Sequence, residues 1–230
     1  MTIKALLGLI DAKSIAIPEI QRPFVWKKSQ VRDLMDSLYK GYPTGYIILW
    51  KNPNVRLRNG QMSSGKKVII DGQQRITAMM TAIAGLEVIM EDFSKKRIKI
   101  AFNPLLPEDS EEERFKVQDN AVLRDKRWIS DISEIFDSNF NLWDYSAKYA
   151  EENPGISGSQ ISAAIMKLLS IKNRNIGVIT LKHFLTIDEV TEIFIRINSQ
   201  GAKLNQADFA MSKIAADEQY GGNSLRQAID

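Results

Sequence analysis

Lys67-Val68-Ile69-Ile70-Asp71-Gly72-Gln73-Gln74-Arg75-Ile76-Thr77 is the stretch on which the fold turns. Lys67 to Ile70 is a short, apolar, β-branched run bounded by Asp71-Gly72, as expected of a buried central strand. From Gln73 the period becomes helical: Ile76, Met79, Met80 and Ile83 share one face, and Gly85 ends the helix. A strand therefore passes into a helix across a single glycine. Open α/β arrangements place ligands beyond the carboxyl ends of strands. A helix N-terminus adds unpaired N–H groups and a partial positive charge, which together attract an anion.

The side chains of this junction suit a phosphate. Gly72 permits a backbone conformation, or a close approach, that a side chain would obstruct. Gln73 and Gln74 both donate and accept hydrogen bonds, and Arg75 supplies a planar fork matched to phosphate oxygens. Asp71 is an acceptor with three open roles: orienting Arg75, holding a ribose hydroxyl, or positioning Mg²⁺. Thr77 closes the candidate set. The plainer alternative makes Asp71-Gly72 a turn, the glutamines solvent-facing helix formers and Arg75 half of a surface ion pair.

On the N-terminal side, Met1 to Ile10 reads as a first helix rather than a signal peptide, because no small-residue cleavage site follows. Ser14 to Ile17 is a short strand running into Ile17-Pro18-Glu19-Ile20-Gln21-Arg22-Pro23-Phe24-Val25-Trp26. The two prolines stiffen this segment, which presents Gln21, Arg22 and Trp26 as anion-binding and stacking groups. The alternative is a Phe and Trp anchor with Arg22 exposed. Ser29 is placed to cap a helix with Val31, Leu34, Met35 and Leu38 inside, and Gly41 and Pro43 stop it. Gly45 to Trp50 is a strand, and Asn52 to Gly65 a polar loop or hairpin.

On the C-terminal side, Ile98, Ile100 and Phe102 alternate with Arg97, Lys99 and Ala101 as a half-buried strand closed by Pro104. Pro107 to Arg114 is an acidic loop or first helical turn. Residues 115–150 read as irregular helix, with Trp128, Phe136, Phe140, Trp143 and Tyr145 packing inward. Asn153 to Ser159 is a connector before a helix marked by Ile161, Ile165, Leu168 and Leu169, and Ile176 to Leu181 is a last strand. Thr186-Ile187-Asp188-Glu189 is a capping box for a helix that buries Val190, Ile193, Phe194 and Ile197. Asn198 to Gly201 turns into a further helix near Gln206, which is too acidic for a DNA-recognition helix. A loop reaching a ligand through Asn198 and Lys203, or a structural corner, fits better. Gly221-Gly222-Asn223 to Asp230 does not read as a finished domain edge.

Composition removes several classes of chemistry. The 230 residues contain no cysteine, so disulfides, thiolate metal sites and cysteine nucleophiles are excluded, which suits a cytoplasmic protein. No apolar run is long enough to cross a bilayer, so no membrane partner is expected. His183 is the single histidine, and no His/Asp/Glu grouping has metal-ligand spacing. Residues 1–100 hold 17 Lys and Arg against 8 Asp and Glu, a basic half that attracts phosphate-bearing ligands, nucleotide or nucleic acid. A merely polarised surface gives the same asymmetry.

Four ordered motifs carry a family likeness: Ile17 to Trp26, Tyr42-Pro43-Thr44-Gly45, Asp71-Gly72-Gln73-Gln74-Arg75, and Phe194-Ile195-Arg196-Ile197-Asn198-Ser199-Gln200-Gly201. The chain resembles the N-terminal domain of GmrSD-type modification-dependent restriction enzymes, a bacterial family marked by the DGQQR motif. The resemblance implies an α+β fold similar to ParB and sulfiredoxin, a small mixed sheet with helices followed by an α-helical extension. On that basis residues 1–105 are the nucleotide-binding core and 106–230 a mainly helical extension with one returning strand. In that wider fold a Gly-x-x-Arg turn binds nucleotide phosphates, here Gly72-Gln73-Gln74-Arg75.

The resemblance further implies binding and hydrolysis of an NTP with Mg²⁺, coupled to DNA restriction in phage defence. Asp71, Gln74 and Arg75 then become the catalytic candidates. Gly72, Gln73, Gln74, Arg75, Gln21, Arg22 and Thr77 hold the nucleotide, with Trp26, Asn198 and Lys203 secondary and Asp71 the one metal ligand. Arg22 adds a second cation against the charge that develops in phosphoryl transfer. Sulfiredoxin chemistry needs a cysteine and is excluded. DNA cleavage by an HNH-type nuclease needs more than one histidine, so that activity is expected in a partner or another domain. A ParB-like DNA-binding or nicking module, and an interaction module with a structural motif, are the competing readings.

Overall fold

The computed structural model describes residues 1–16, 24–51, 66–90, 92–107 and 110–198. The expectations for Ile17 to Pro23, the Asn52 to Gly65 loop and everything from Ser199 onward lie outside the described residues. The chain is mixed α+β. Its first part runs α1 (Ile3–Asp11), β1 (Ile15–Ala16), α2 (Lys28–Lys40), β2 (Tyr46–Trp50), β3 (Lys67–Asp71) and α3 (Gln73–Ala82). Then come β4 (Val88–Ile89), β5 (Lys95–Lys96), β6 (Ile100–Phe102), β7 (Phe115–Val117), α4 (Asn120–Arg124) and α5 (Ile132–Ile135). Two longer helices, α6 (Leu142–Glu152) and α7 (Gly158–Leu169), precede β8 (Gly177–Leu181) and α8 (Ile187–Asn198). These elements form two compact units interleaved along the chain, and the division falls between Gln73 and Gln74.

The unit holding residues 9–16, 46–51, 66–73 and 178–198 carries the main sheet, in the order β1-β3-β2-β8. β3 is internal, as its apolar run requires, parallel to β1 and antiparallel to β2. Ile47 to Trp50 and Val68-Ile69 are all buried, so side chains on both faces of these strands are out of water. Between Ile48 and Leu49 the partner on β3 changes from Asp71 to Ile69, which leaves Ile70 as an extra, bulged residue. Such bulges re-aim the residues beside them, and this one immediately precedes Asp71. α8 opens on the expected capping box, with the Glu189 carboxylate accepting from the Thr186 N–H at 2.7 Å. Its inner face is shorter than the sequence indicates. Val190 is buried, but Ile197, in the last turn, is 49% exposed.

The other unit holds residues 1–8, 24–45, 74–107 and 110–177, of which residue 91 is not described. α2 buries Val31, Leu34, Met35 and Leu38 as the spacing requires, together with Tyr39. It starts at Lys28, not after a Ser29 cap, because the Gln30 carboxamide accepts from the Lys27 N–H at 2.8 Å and sets the first turn one step earlier. Tyr39 meets Phe102 and Phe115 at 5.5 and 5.6 Å, and those two rings are 5.1 Å apart. Phe115 belongs to β7, antiparallel to β6, where the sequence suggests irregular helix. Pairing with β6 and burial of Phe115 outweigh the local preference. β6 is itself covered on both faces, since Ala101 is as buried as Ile100 and Phe102. Trp143, expected to pack inward, is 74% exposed on α6.

The β4–β5 hairpin escapes sequence reading because its strands are two residues long. Phe24 extends its edge by donating to the Ile89 carbonyl at 2.8 Å. At the tip the Asp92 carboxylate accepts from the Ser94 N–H at 3.0 Å, the Ser94 hydroxyl and Lys96 Nζ. The Ser94 hydroxyl, then Lys96, hold the Asp92 carboxyl down at about 2. Because the folded value lies below the ordinary carboxylate value of about 3.9, Asp92's support for the tip is full above that range and is lost as pH falls through about 2. The Ser94 amide resonance is expected to titrate with a midpoint near 2. A midpoint near the ordinary value would mean that this turn is not formed in solution.

Candidate functional site

β3 ends at Asp71, Gly72 follows with φ +91°, and α3 begins at Gln73. That φ lies where side chains are disfavoured, so the reversal from strand into helix at this point requires the glycine. α3 is ten residues long and follows β3 in the chain with Gly72 alone between them. Asp71, Gln73, Gln74 and Arg75 are all half-buried, while Thr77 is buried one turn further in.

Within the unit that contains Gln74, the first turn of α3 gathers two other segments. The Gln74 Oε1 accepts from the Val25 N–H at 3.0 Å and the Trp26 N–H at 3.4 Å. Arg75 Nη1 donates to the Thr44 carbonyl at 3.0 Å. Gly45, with φ +84°, lies against the same guanidinium, and a Cβ placed there would sit 2.2 Å from Nη1. Trp26 is half-buried, its ring 6.5 Å from Phe24. Three motifs far apart in sequence, ending at Trp26, spanning Tyr42 to Gly45 and beginning at Asp71, therefore converge on the first turn of α3.

Two of the participants were not singled out by residue type. The Thr44 carbonyl is backbone chemistry, invisible in a sequence. Gly45 was read as the start of a strand and as the end of the Tyr42-Pro43-Thr44-Gly45 motif, not as a neighbour of Arg75. The structure also gives Gln74 a second duty, because its carboxamide oxygen is engaged in tethering Val25 and Trp26. Gln21, Arg22 and Lys203 lie outside the described residues, as does the side chain of Asn198, the last residue of α8. His183 stands just beyond β8, exposed, with Phe184 at 5.6 Å. Among the described residues no group of three or more His, Cys, Asp or Glu is placed to hold a metal.

The description "GmrSD restriction endonuclease, N-terminal domain" matches residues 3–215. The chain belongs to the GmrSD N-terminal domain family. The matched span contains all four motifs. An uncharacterized protein of Methanocaldococcus jannaschii is 23% identical over 251 residues, covering 91% of this chain and 41% of that protein. The chain spans about two fifths of that relative's length. No helix among the described residues is long and apolar enough to cross a membrane.

Proposed function

We propose that this GmrSD N-terminal domain binds a nucleoside triphosphate at the β3–α3 junction and hydrolyses it, as a regulatory step in a DNA restriction or phage-defence system. The observation that carries the reading is the convergence on the first turn of α3. An arginine fork in that turn is anchored by the Thr44 backbone, three residues after a glycine with a left-handed φ. On this reading the Gly72 backbone and Gln73 cradle the phosphates, Arg75 clamps them, and Thr77 lies behind the turn. Gln21 and Arg22 are the proposed second wall, with Arg22 offsetting charge that develops on the transferred group. Trp26, Asn198 and Lys203 are candidates for contacts farther from the phosphates. The fold proposed for residues 1–105 is the ParB/sulfiredoxin type, with 106–230 as its helical extension.

Asp71 is one carboxylate, which suits Mg²⁺, an ion commonly held by one or two carboxylates together with substrate phosphates and water. When bound, Mg²⁺ would neutralise charge on the phosphates. Asp71 would hold it or orient the attacking water. Gln73 and Gln74 are both candidates for positioning the attacking water, and the Gln74 carboxamide oxygen also accepts from the Val25 and Trp26 N–H groups.

The test is a calorimetric titration of ATP, GTP, CTP and UTP, each with Mg²⁺, into the wild-type domain, with phosphate release followed in parallel. Saturable binding of one nucleotide with phosphate release is expected. Binding without release would leave a sensor and remove the hydrolase. Absence of binding by any nucleotide would transfer the motif to the competing reading, a ParB-like DNA-binding module. That reading draws on the basic composition of residues 1–100. A nuclease domain or subunit remains the proposed partner for DNA cleavage.

A further inference from the structure

We infer that Gly45, with the Thr44 carbonyl, is the element that positions the Arg75 guanidinium for phosphate recognition. The inference rests on the proposed phosphate site. A cradle needs its fork in one place, and an arginine side chain has many rotamers to lose before it gets there. Here the Thr44 carbonyl takes one of the guanidinium donors at 3.0 Å. The missing side chain at position 45 supplies the space beside it. An added Cβ would lie 2.2 Å from Nη1, 3.3 Å from Cζ and 3.9 Å from Nη2, so the Nη1 end of the guanidinium lies against this glycine.

What must yield to such a Cβ is the far end of a flexible side chain, not backbone. Gly45→Ala therefore moves the guanidinium of Arg75 without deleting it, which no substitution at Arg75 does. The left-handed φ of +84° adds backbone strain. Gly155 isolates that strain, because it has φ +93° and nothing within 4 Å of an added Cβ. Arg75→Lys isolates the clash, since a lysine places no Nη1 beside Gly45.

The experiment measures Mg²⁺-nucleotide affinity, using ATP, GTP, CTP and UTP in turn, for wild type, Gly45→Ala, Gly155→Ala, Arg75→Lys and the Gly45→Ala/Arg75→Lys double variant. Melting curves are recorded beside the titrations. Gly45→Ala is expected to melt within a few degrees of Gly155→Ala yet bind at least tenfold more weakly than wild type, while Gly155→Ala binds as wild type. In the Arg75→Lys background the cost of Gly45→Ala is expected to fall below twofold. Wild-type affinity in Gly45→Ala, or the same cost in both backgrounds, overturns the inference alone. So does a Gly45→Ala chain that fails to fold where Gly155→Ala folds. A wild-type domain that binds none of the four overturns the phosphate site and this inference with it.

Discussion

Arg75→Ala is expected to weaken nucleotide binding by about 100-fold while the domain stays folded. Hydrogen bonds to charged groups contribute roughly 1.5–3 kcal/mol each, and a guanidinium fork makes two to one phosphate. Part of that gain is offset by ordering the side chain, but the Thr44 carbonyl and Gly45 have already ordered it. A net loss of about 2.7 kcal/mol, just below the low end of that two-bond sum, corresponds to the factor of 100. On the stability side, the Arg75 interactions removed include the hydrogen bond to Thr44, worth about 1 kcal/mol. Domains of this size tolerate such a loss. Arg75→Lys keeps the charge but loses the fork, so it is expected to fall between the two, near a tenfold loss. Circular dichroism and calorimetry on the same preparations separate the outcomes. Unaltered affinity in a folded Arg75→Ala domain would remove Arg75 from the site. Salt-dependent DNA affinity that survives Arg75→Ala would favour the DNA-binding reading, because phosphate-backbone contacts lower affinity steeply as salt rises.

The β3–Gly72–α3 junction was legible because three independent signals agree there: a β-branched run, a glycine, and a change of period from strand to helix. The α2 helix was legible from the spacing of Val31, Leu34, Met35 and Leu38, and the Thr186–Glu189 capping box from its residue pattern. What was hidden follows from physics that a linear pattern does not encode. β7 is three residues long, and only its pairing with β6 makes Phe115 a strand residue. Trp143 is large and apolar, yet being apolar does not oblige a residue to be inside, since folded surfaces contain much apolar area. At the site, Asp71 to Arg75 could be chosen by chemistry, whereas the Thr44 carbonyl could not. The tether from Gln74 to Val25 and Trp26 links residues 48 or more positions apart, so no local window contains both ends.

Asp131→Ala is expected to destabilise the protein by about 3 kcal/mol. Asp131 sits just before α5 with its side chain 2% exposed. Its carboxylate accepts from Arg97 Nη2, from the Ser133 N–H at 3.1 Å and from the Ser133 hydroxyl at 2.8 Å, with Lys99 Nζ at 3.8 Å. Removing one partner of a buried pair usually costs about 3–5 kcal/mol, because the other charge is left out of water without compensation. Arg97 is 28% exposed, which lets solvent relieve part of that cost and places the estimate at the lower end. Loss of the helix cap contributes about 1 kcal/mol of the total. Asp131→Asn separates the two effects. Asparagine caps about as well as aspartate, so it should restore roughly the capping share while leaving Arg97 without a carboxylate. For a chain of this length 3 kcal/mol corresponds to a fall in Tm of roughly 6–12 °C. Urea unfolding should show a lower midpoint at unchanged slope. A loss below about 1 kcal/mol would mean that water reaches the pair and that the Arg97–Asp131 contact behaves as a surface ion pair.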